Sequence, residues 1–236
     1  MIEAKTSSPL AKEVFETLRR LDACTLANAI EAFHERLRNE GFVDNSIHCL
    51  FPGLAPMLGY AATVKIRGSA PPTADGPYAD RTDWWDYLLC VPAPRVVVVQ
   101  DSASRPGLGS LVGAVHMNIL RALDCVGVVT NGAVRDIPAA QAAGFHYFAG
   151  SVTVSHAYVH IVEVGTPVEV GGLKIQSGDL LHGDLHGVQS IPLPIAPRVP
   201  PVAEQIAAKQ QALIALCQSS DFSIEKLRAA VANETF

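Results

Sequence analysis

Two short runs constrain the fold of this chain most: Arg95 to Gln100, with Val96-Val97-Val98-Val99 at its centre, and Val126-Gly127-Val128-Val129-Thr130. Both are continuous in apolar, mostly β-branched residues and do not alternate. Each therefore reads as a strand covered on both faces. Gly113 to Leu123, between them, reads as a helix. Ile137 to Ala143, after the second, reads as another helix, and Gly144 suits its C-cap. Helix and buried strand alternating within 236 residues point to one layered α/β domain spanning 1–236.

The flanks add helices and short strands. Leu10 to Arg38 is helical in spacing, with a break at Asp22 to Thr25 and Thr25 as the N-cap of the second half. Tyr60 to Ile66 alternates and reads as a strand. Arg67 to Thr82, rich in Gly, Pro and Ala, reads as a surface loop, and Trp84 to Leu89 as a short helix. Beyond Phe145 the chain turns β: Val152, Val154, Val159, Ile161, Val164, Val168, Val170 and Ile175 fall in runs split by Gly and Pro. Leu180 to His182 and Val188 to Ile191 complete that region. Pro192 to Pro201 carries five prolines and reads as a stiff, extended connection. Helices from Val202 to Cys217 and Ser223 to Val231 close the chain.

Hydrophobic residues make up 49% and charged residues 17%, so much surface is buried, subunit interfaces included. A net charge of −5 without a basic stripe argues against nucleic acid as a direct ligand. The five cysteines are odd in number and widely spaced, with no C-x-x-C, which fits reduced thiols better than a disulfide framework or zinc site. Met1-Ile2-Glu3-Ala4-Lys5 is not a signal peptide, and no apolar run is long enough for a membrane span. A soluble cytoplasmic protein is the expectation.

The chemistry concentrates after the second buried strand. Ligands of open α/β sheets sit beyond the carboxyl ends of strands. Asn131-Gly132 suggests a sharp turn with positive φ there, presenting Ala133-Val134-Arg135-Asp136. Arg135 offers a planar fork for a carboxylate or phosphate. Asp136 is a hard oxygen ligand for Mg²⁺ or Mn²⁺. The same spacing also allows a surface Arg–Asp pair in which Asp136 caps the next helix. Gly107-Leu108-Gly109-Ser110-Leu111-Val112-Gly113 precedes a helix whose first amides favour an anion, or is a plain flexible loop. His156 and His160 would share a face as metal ligands on a helix, but the segment reads as a strand. Asp179 and Asp184 most simply shape turns, Trp84-Trp85 pack, and Cys125 is an inert buried thiol.

The run from Gly113-Ala114-Val115-His116 to Asn131-Gly132-Ala133-Val134-Arg135-Asp136 resembles the core of the RraA-like family. Gly59 to Val64, Gly144-Phe145, Gly171-Gly172, Ser177-Gly178-Asp179 and Asp184 to Val188 extend the resemblance over nearly the whole chain. That family holds 4-hydroxy-4-methyl-2-oxoglutarate and 4-carboxy-4-hydroxy-2-oxoadipate aldolases and the regulator of ribonuclease activity A. The resemblance implies a swivelling β/β/α sandwich with helical ends, assembled as a trimer or hexamer. It also implies metal-assisted retro-aldol cleavage of a 4-hydroxy-2-oxo (poly)carboxylic acid to pyruvate, with oxaloacetate decarboxylation as a side activity. Arg135 would then bind substrate and Asp136 the Mg²⁺ or Mn²⁺. The helix start at Gly113, Ala114, Val115 and His116 would hold the pyruvate carboxylate. Two acids of the aldolases are replaced, one by Ala114 and one, contributed there from a neighbouring subunit, by Gln210. His116 is the candidate replacement acid/base. The alternatives are a non-catalytic regulator that binds a protein partner, or a related lyase with altered substrate.

Overall fold

The computed structural model describes residues 8–73 and 81–232. Its elements are α1 (Lys12–Arg20), α2 (Ala23–Glu31), β1 (His48–Cys49), β2 (Met57–Arg67), α3 (Arg81–Cys90), β3 (Arg95–Asp101), α4 (Ala114–Ala122), β4 (Cys125–Val134) and α5 (Ile137–Ala142). They continue as β5 (His146–Val152), β6 (His160–Val164), β7 (Val168–Val170), β8 (Leu173–Ile175), β9 (Leu180–Asp184), β10 (Gly187–Ile191), a 3₁₀ turn (Ala196–Arg198), α6 (Val199–Gln218) and α7 (Ile224–Ala232).

The valine runs form the centre of one mixed sheet, ordered β1-β5-β4-β3-β2-β9-β10. Strands β2 to β5 run parallel, and β9 is antiparallel to the start of β2 while β6 is antiparallel to its end. Alternate residues of each strand face opposite layers. Tyr60, Ala62, Val64, Val97, Val99, Val128 and Tyr147 pack with Leu18, Leu26, Trp84, Met117 and Val199 of the helices. Met57, Ala61, Val96, Val98, Val129 and Phe148 pack instead with Val168, Val170, Leu173 and Ile175 of the β7–β8 hairpin. Helices, sheet and hairpin thus make the three β/β/α layers expected. Burial on both faces explains why the central strands are valine-rich and not alternating. Among the described residues no helix is long and apolar enough to cross a membrane.

Four local expectations need correction. The N-cap of α2 is Asp22, not Thr25: its carboxylate accepts from the Thr25 amide at 2.9 Å and the Thr25 hydroxyl at 2.6 Å. That helix stops at Glu31 rather than Arg38, and His34 follows with a left-handed φ of 54°. Pro192 to Pro201 is not extended. It contains the 3₁₀ turn and the first residues of α6, because a proline in the first helical turn gives up an N–H that would have no intrahelical acceptor. At the site itself, β4 does not end at Thr130 but runs on to Val134. The loop expected at Arg67 to Thr82 falls partly on 74–80, outside the described residues.

Candidate functional site

Asn131 and Gly132 form an irregularity within β4, not a tight turn. The register against β5 shifts between Thr130 and Ala133. On the other edge of β4, facing β3, the Asn131 side chain holds the backbone of Asp101: Oδ1 accepts from the Asp101 amide at 2.7 Å, and Nδ2 donates to the Asp101 carbonyl at 3.1 Å. The buried Asp101 carboxylate accepts from the amides of Ala103 at 3.0 Å and Gly107 at 2.9 Å. Together these bonds fold the segment after β3 back toward α4.

The left-handed residue is Asp136, with φ 56° and ψ 43°. Aspartate tolerates this conformation better than most side chains. The reversal returns its carboxylate to another helix: Oδ2 accepts from the Ala114 amide, the first of α4, at 2.6 Å. Its side chain does not cap α5, whose start is satisfied by the Asp136 backbone carbonyl accepting from Ala139 and Ala140. Arg135 Nε lies 3.6 Å from the same Oδ2, so the Arg–Asp pair is also present. That Nε is buried and has no hydrogen-bond partner, while Nη1 reaches the Val154 carbonyl at 3.5 Å.

Gly113 is the N-cap of α4 and lets this corner close. A Cβ there would lie 2.6 Å from Arg135 Nε and 2.8 Å from Asp136 Oδ2. The first intrahelical bond of α4 is Met117 N–H to the Gly113 carbonyl at 2.9 Å. The amides of Ala114, Val115 and His116 therefore point out of the helix, where the dipole favours an anion. Carboxylate, guanidinium and helix start converge on one cavity of about 570 Å³. The Gly107–Gly113 loop plays a different part: at Gly109 a Cβ would collide with the His156 carbonyl, so glycine serves close packing there.

Three imidazoles line the cavity. Nδ1 of His116 faces the Leu111 carbonyl at 3.0 Å, that of His156 the Ser110 carbonyl at 3.2 Å, and that of His160 the Tyr158 carbonyl at 2.8 Å. A carbonyl only accepts, so each Nδ1 carries the hydrogen and Nε2 is the basic nitrogen of the neutral ring. His156 lies in the loop before β6 and His160 begins that strand, so they do not share a helical face.

Among the described residues no three His, Cys, Asp or Glu side chains are grouped to hold a metal. A closed zinc-type cage does not fit. A hard ion held by one carboxylate, waters and substrate oxygens does fit Asp136, which lines the cavity and whose side chain is 39% exposed. Gln210 does not line this cavity. Asp184 instead anchors α2, accepting from the Ala23 amide at 2.8 Å, and binds the His186 ring at 3.1 Å. His182 is fully buried with Nε2 on the Leu21 carbonyl, and Asp179 accepts from the Gln176 amide. Burial pushes the Cys125 thiol up to about 12, keeping it protonated. A second cavity of about 600 Å³ lies at the other end of the parallel strands, by Lys12, Arg121 and His146. It is lined by the first turns of α1, with Glu16 among Lys12, Arg19 and Arg121, and none of the residues of the Arg135 corner reaches it.

Sequence reasoning missed the remaining wall: Pro72, Trp85, Ile119, Tyr158 and Ile161. They arrive from α3, α4 and β6 and carry no local signature. Trp84 is fully buried, as a packing residue should be, but Trp85 faces the cavity.

Comparison with known proteins agrees with this architecture. The RraA-like family (Aldolase/RraA) matches residues 23–189. A protein of Halalkalibacterium halodurans, named provisionally as a 4-hydroxy-4-methyl-2-oxoglutarate aldolase, is 33% identical over 101 residues. That match covers 42% of this chain and 48% of the relative, so the chain spans about half of the curated protein. An uncharacterized protein of Pseudomonas syringae pv. tomato superposes with a TM-score of 0.73 at 23% identity, covering 94% of this chain and 95% of its own. RraAS2 of Streptomyces coelicolor, described as an unusual member of the RNase ES inhibitor RraA family, superposes with a TM-score of 0.66 at 19% identity, covering 88% and 98%. These two show the shared fold. With the family matched over most of its length and its fold reproduced, the chain belongs to the RraA-like family.

Proposed function

We propose that this protein is a divalent-metal-dependent carbon–carbon lyase of the pyruvate-aldolase type. Its substrate would be a small 4-hydroxy-2-oxo acid, cleaved to pyruvate, with oxaloacetate decarboxylation as a side activity. The observation that carries this reading is the convergence of Arg135, Asp136 and the start of α4 on one cavity. In this reading the outward amides of Val115 and His116 take the substrate carboxylate, with Gly113 and Ala114 shaping the approach. Arg135 orients the 2-oxo group by charge-assisted hydrogen bonds. Asp136 would hold Mg²⁺ or Mn²⁺, which supplies Lewis-acid stabilisation of charge developing on the 2-oxo oxygen. His116 would move the proton through Nε2, since its Nδ1 is held by Leu111. We place the site between subunits of a trimer or hexamer. Exposed Val115, Val152 and Val154 around the corner suit such a contact.

Ala114 favours a second reading. No carboxylate stands at the first residue of α4, where the family's aldolases carry one, so the corner could bind without turnover, as in a regulator of a protein partner. The two readings separate on pyruvate release from 4-hydroxy-4-methyl-2-oxoglutarate and oxaloacetate, with and without Mg²⁺ or Mn²⁺. Metal-dependent release supports the lyase. No release, and none gained in Ala114→Glu, supports the regulator.

A further inference from the structure

Resting on the lyase reading, we propose that this cavity selects a substrate whose tail at C4 is uncharged and apolar, such as an aryl group, in place of a second carboxylate. The two sides of the cavity differ by element. The end of β4 and the start of α4 bring Arg135 and Asp136, the only Arg or Lys and the only Asp or Glu side chains among its described lining residues. The pair stands 3.6 Å apart and is consumed by the 2-oxo acid head. The other side comes from α3, the loop before β6, and β6 itself: Trp85, Tyr158, His160 and Ile161, with Pro72 beside them and Ile119 from α4. Among the described residues this is an aromatic and aliphatic wall without a guanidinium or ammonium group.

Size points the same way. The space of about 570 Å³ falls in the range of sites that enclose ligands far larger than a three-carbon oxo acid. It has room for more than the pyruvate unit. An apolar tail gains by burying surface against Trp85 and Ile161. A carboxylate there would lose its water with no Arg or Lys among the described lining residues of that wall to replace it. Such a wall discriminates through the unpaired charge it forces on the wrong substrate.

The reaction balances with no further reactant. The C4 hydroxyl loses its proton and its O–H electron pair makes C4 the carbonyl of an aldehyde, while the C3–C4 bond breaks and the pair of that bond passes to C3. A proton added at C3 completes the methyl group of pyruvate. For an aryl tail the second product is an aromatic aldehyde.

Two non-cleavable 2-oxo acids test the binding: 2-oxo-4-phenylbutanoate and 2-oxoglutarate, titrated calorimetrically into the full chain with Mn²⁺. The phenyl compound should bind about tenfold tighter or better, the equivalent of one well-buried ring. Turnover should follow, with 4-hydroxy-2-oxo-4-phenylbutanoate cleaved faster than 4-hydroxy-4-methyl-2-oxoglutarate at equal low concentration. Tyr158 is 57% exposed, so Tyr158→Arg leaves the core alone while placing a cation on the wall. It should shift the ratio at least about tenfold toward 2-oxoglutarate. Equal or tighter binding of 2-oxoglutarate by the unmodified protein, or an unchanged ratio in Tyr158→Arg, would overturn the specificity while leaving the lyase reading intact. If neither acid binds and no 2-oxo acid yields pyruvate with either metal, the lyase reading itself falls.

Discussion

Replacing Gly113 by alanine probes the corner with a single carbon atom. The backbone at Gly113 has φ −115° and ψ −172°, open to any residue, so the substitution brings no conformational strain. Its cost is steric. The new Cβ would stand 2.6 Å from Arg135 Nε and 2.8 Å from Asp136 Oδ2, where ordinary contact begins at 3.4 Å. Relief needs shifts of about 0.8 Å and 0.6 Å, the differences between those figures. Misplacing a reacting geometry by ~1 Å costs roughly 100-fold in rate. We therefore expect kcat/KM for pyruvate release to fall about 30- to 100-fold. Stability should change little: alanine is a poorer N-cap than glycine by about 1 kcal/mol. For a chain of this size that lowers Tm by about 2–4 °C. Coupled pyruvate assay and thermal unfolding on the same preparation separate the two effects. Full activity, or a Tm drop far beyond that range with activity retained per folded molecule, would refute the steric account.

Other substitutions test neighbouring links. His116→Ala should reduce turnover by about 100-fold at saturating substrate while leaving KM within a few-fold; unchanged turnover removes His116 from the chemistry. Burial pushes His146 down to about 4 from 6.5, so its charged form is disfavoured in the fold. Its contribution is present above pH 6.5, is lost as pH falls, and levels off below about 4. The drop from 6.5 to about 4 sets an upper limit of about 3 kcal/mol. Denaturant midpoints at pH 7.5 and 4.5 should therefore converge in His146→Phe, which keeps the ring stacking near Phe148; an unchanged pH slope contradicts this. Asp22→Ala should cost about 1 kcal/mol of stability by uncapping α2, read from equilibrium unfolding, with no effect on metal binding.

Much of the fold is legible in the sequence because burial leaves a local trace. Valine runs on β3 and β4 announce a sheet covered on both faces, and Gly144 marks the end of α5 with φ 64°. The errors arise where a remote partner decides. Asn131-Gly132 has turn chemistry, yet the reciprocal bonds between Asn131 and Asp101 keep the chain in β4. Asp22 rather than Thr25 caps α2, a difference one turn of side-chain geometry settles. Pro200 and Pro201 look like an extended linker until the helix that starts beneath them is known. The site divides in the same way. Arg135 and Asp136 are contiguous and readable, but the bond from Ala114 to Asp136 spans 22 residues, and Trp85, Tyr158 and Ile161 meet the corner only through the tertiary fold.

The central claim is that the Arg135–Asp136 corner holds a divalent ion and a 2-oxo acid together. A crystal structure with Mn²⁺ and oxalate, read by manganese anomalous scattering, tests it most directly. The anomalous peak is expected on the Asp136 carboxylate, with oxalate oxygens reaching Arg135 and the amides that open α4. A peak elsewhere, or oxalate bound away from Arg135, would contradict it.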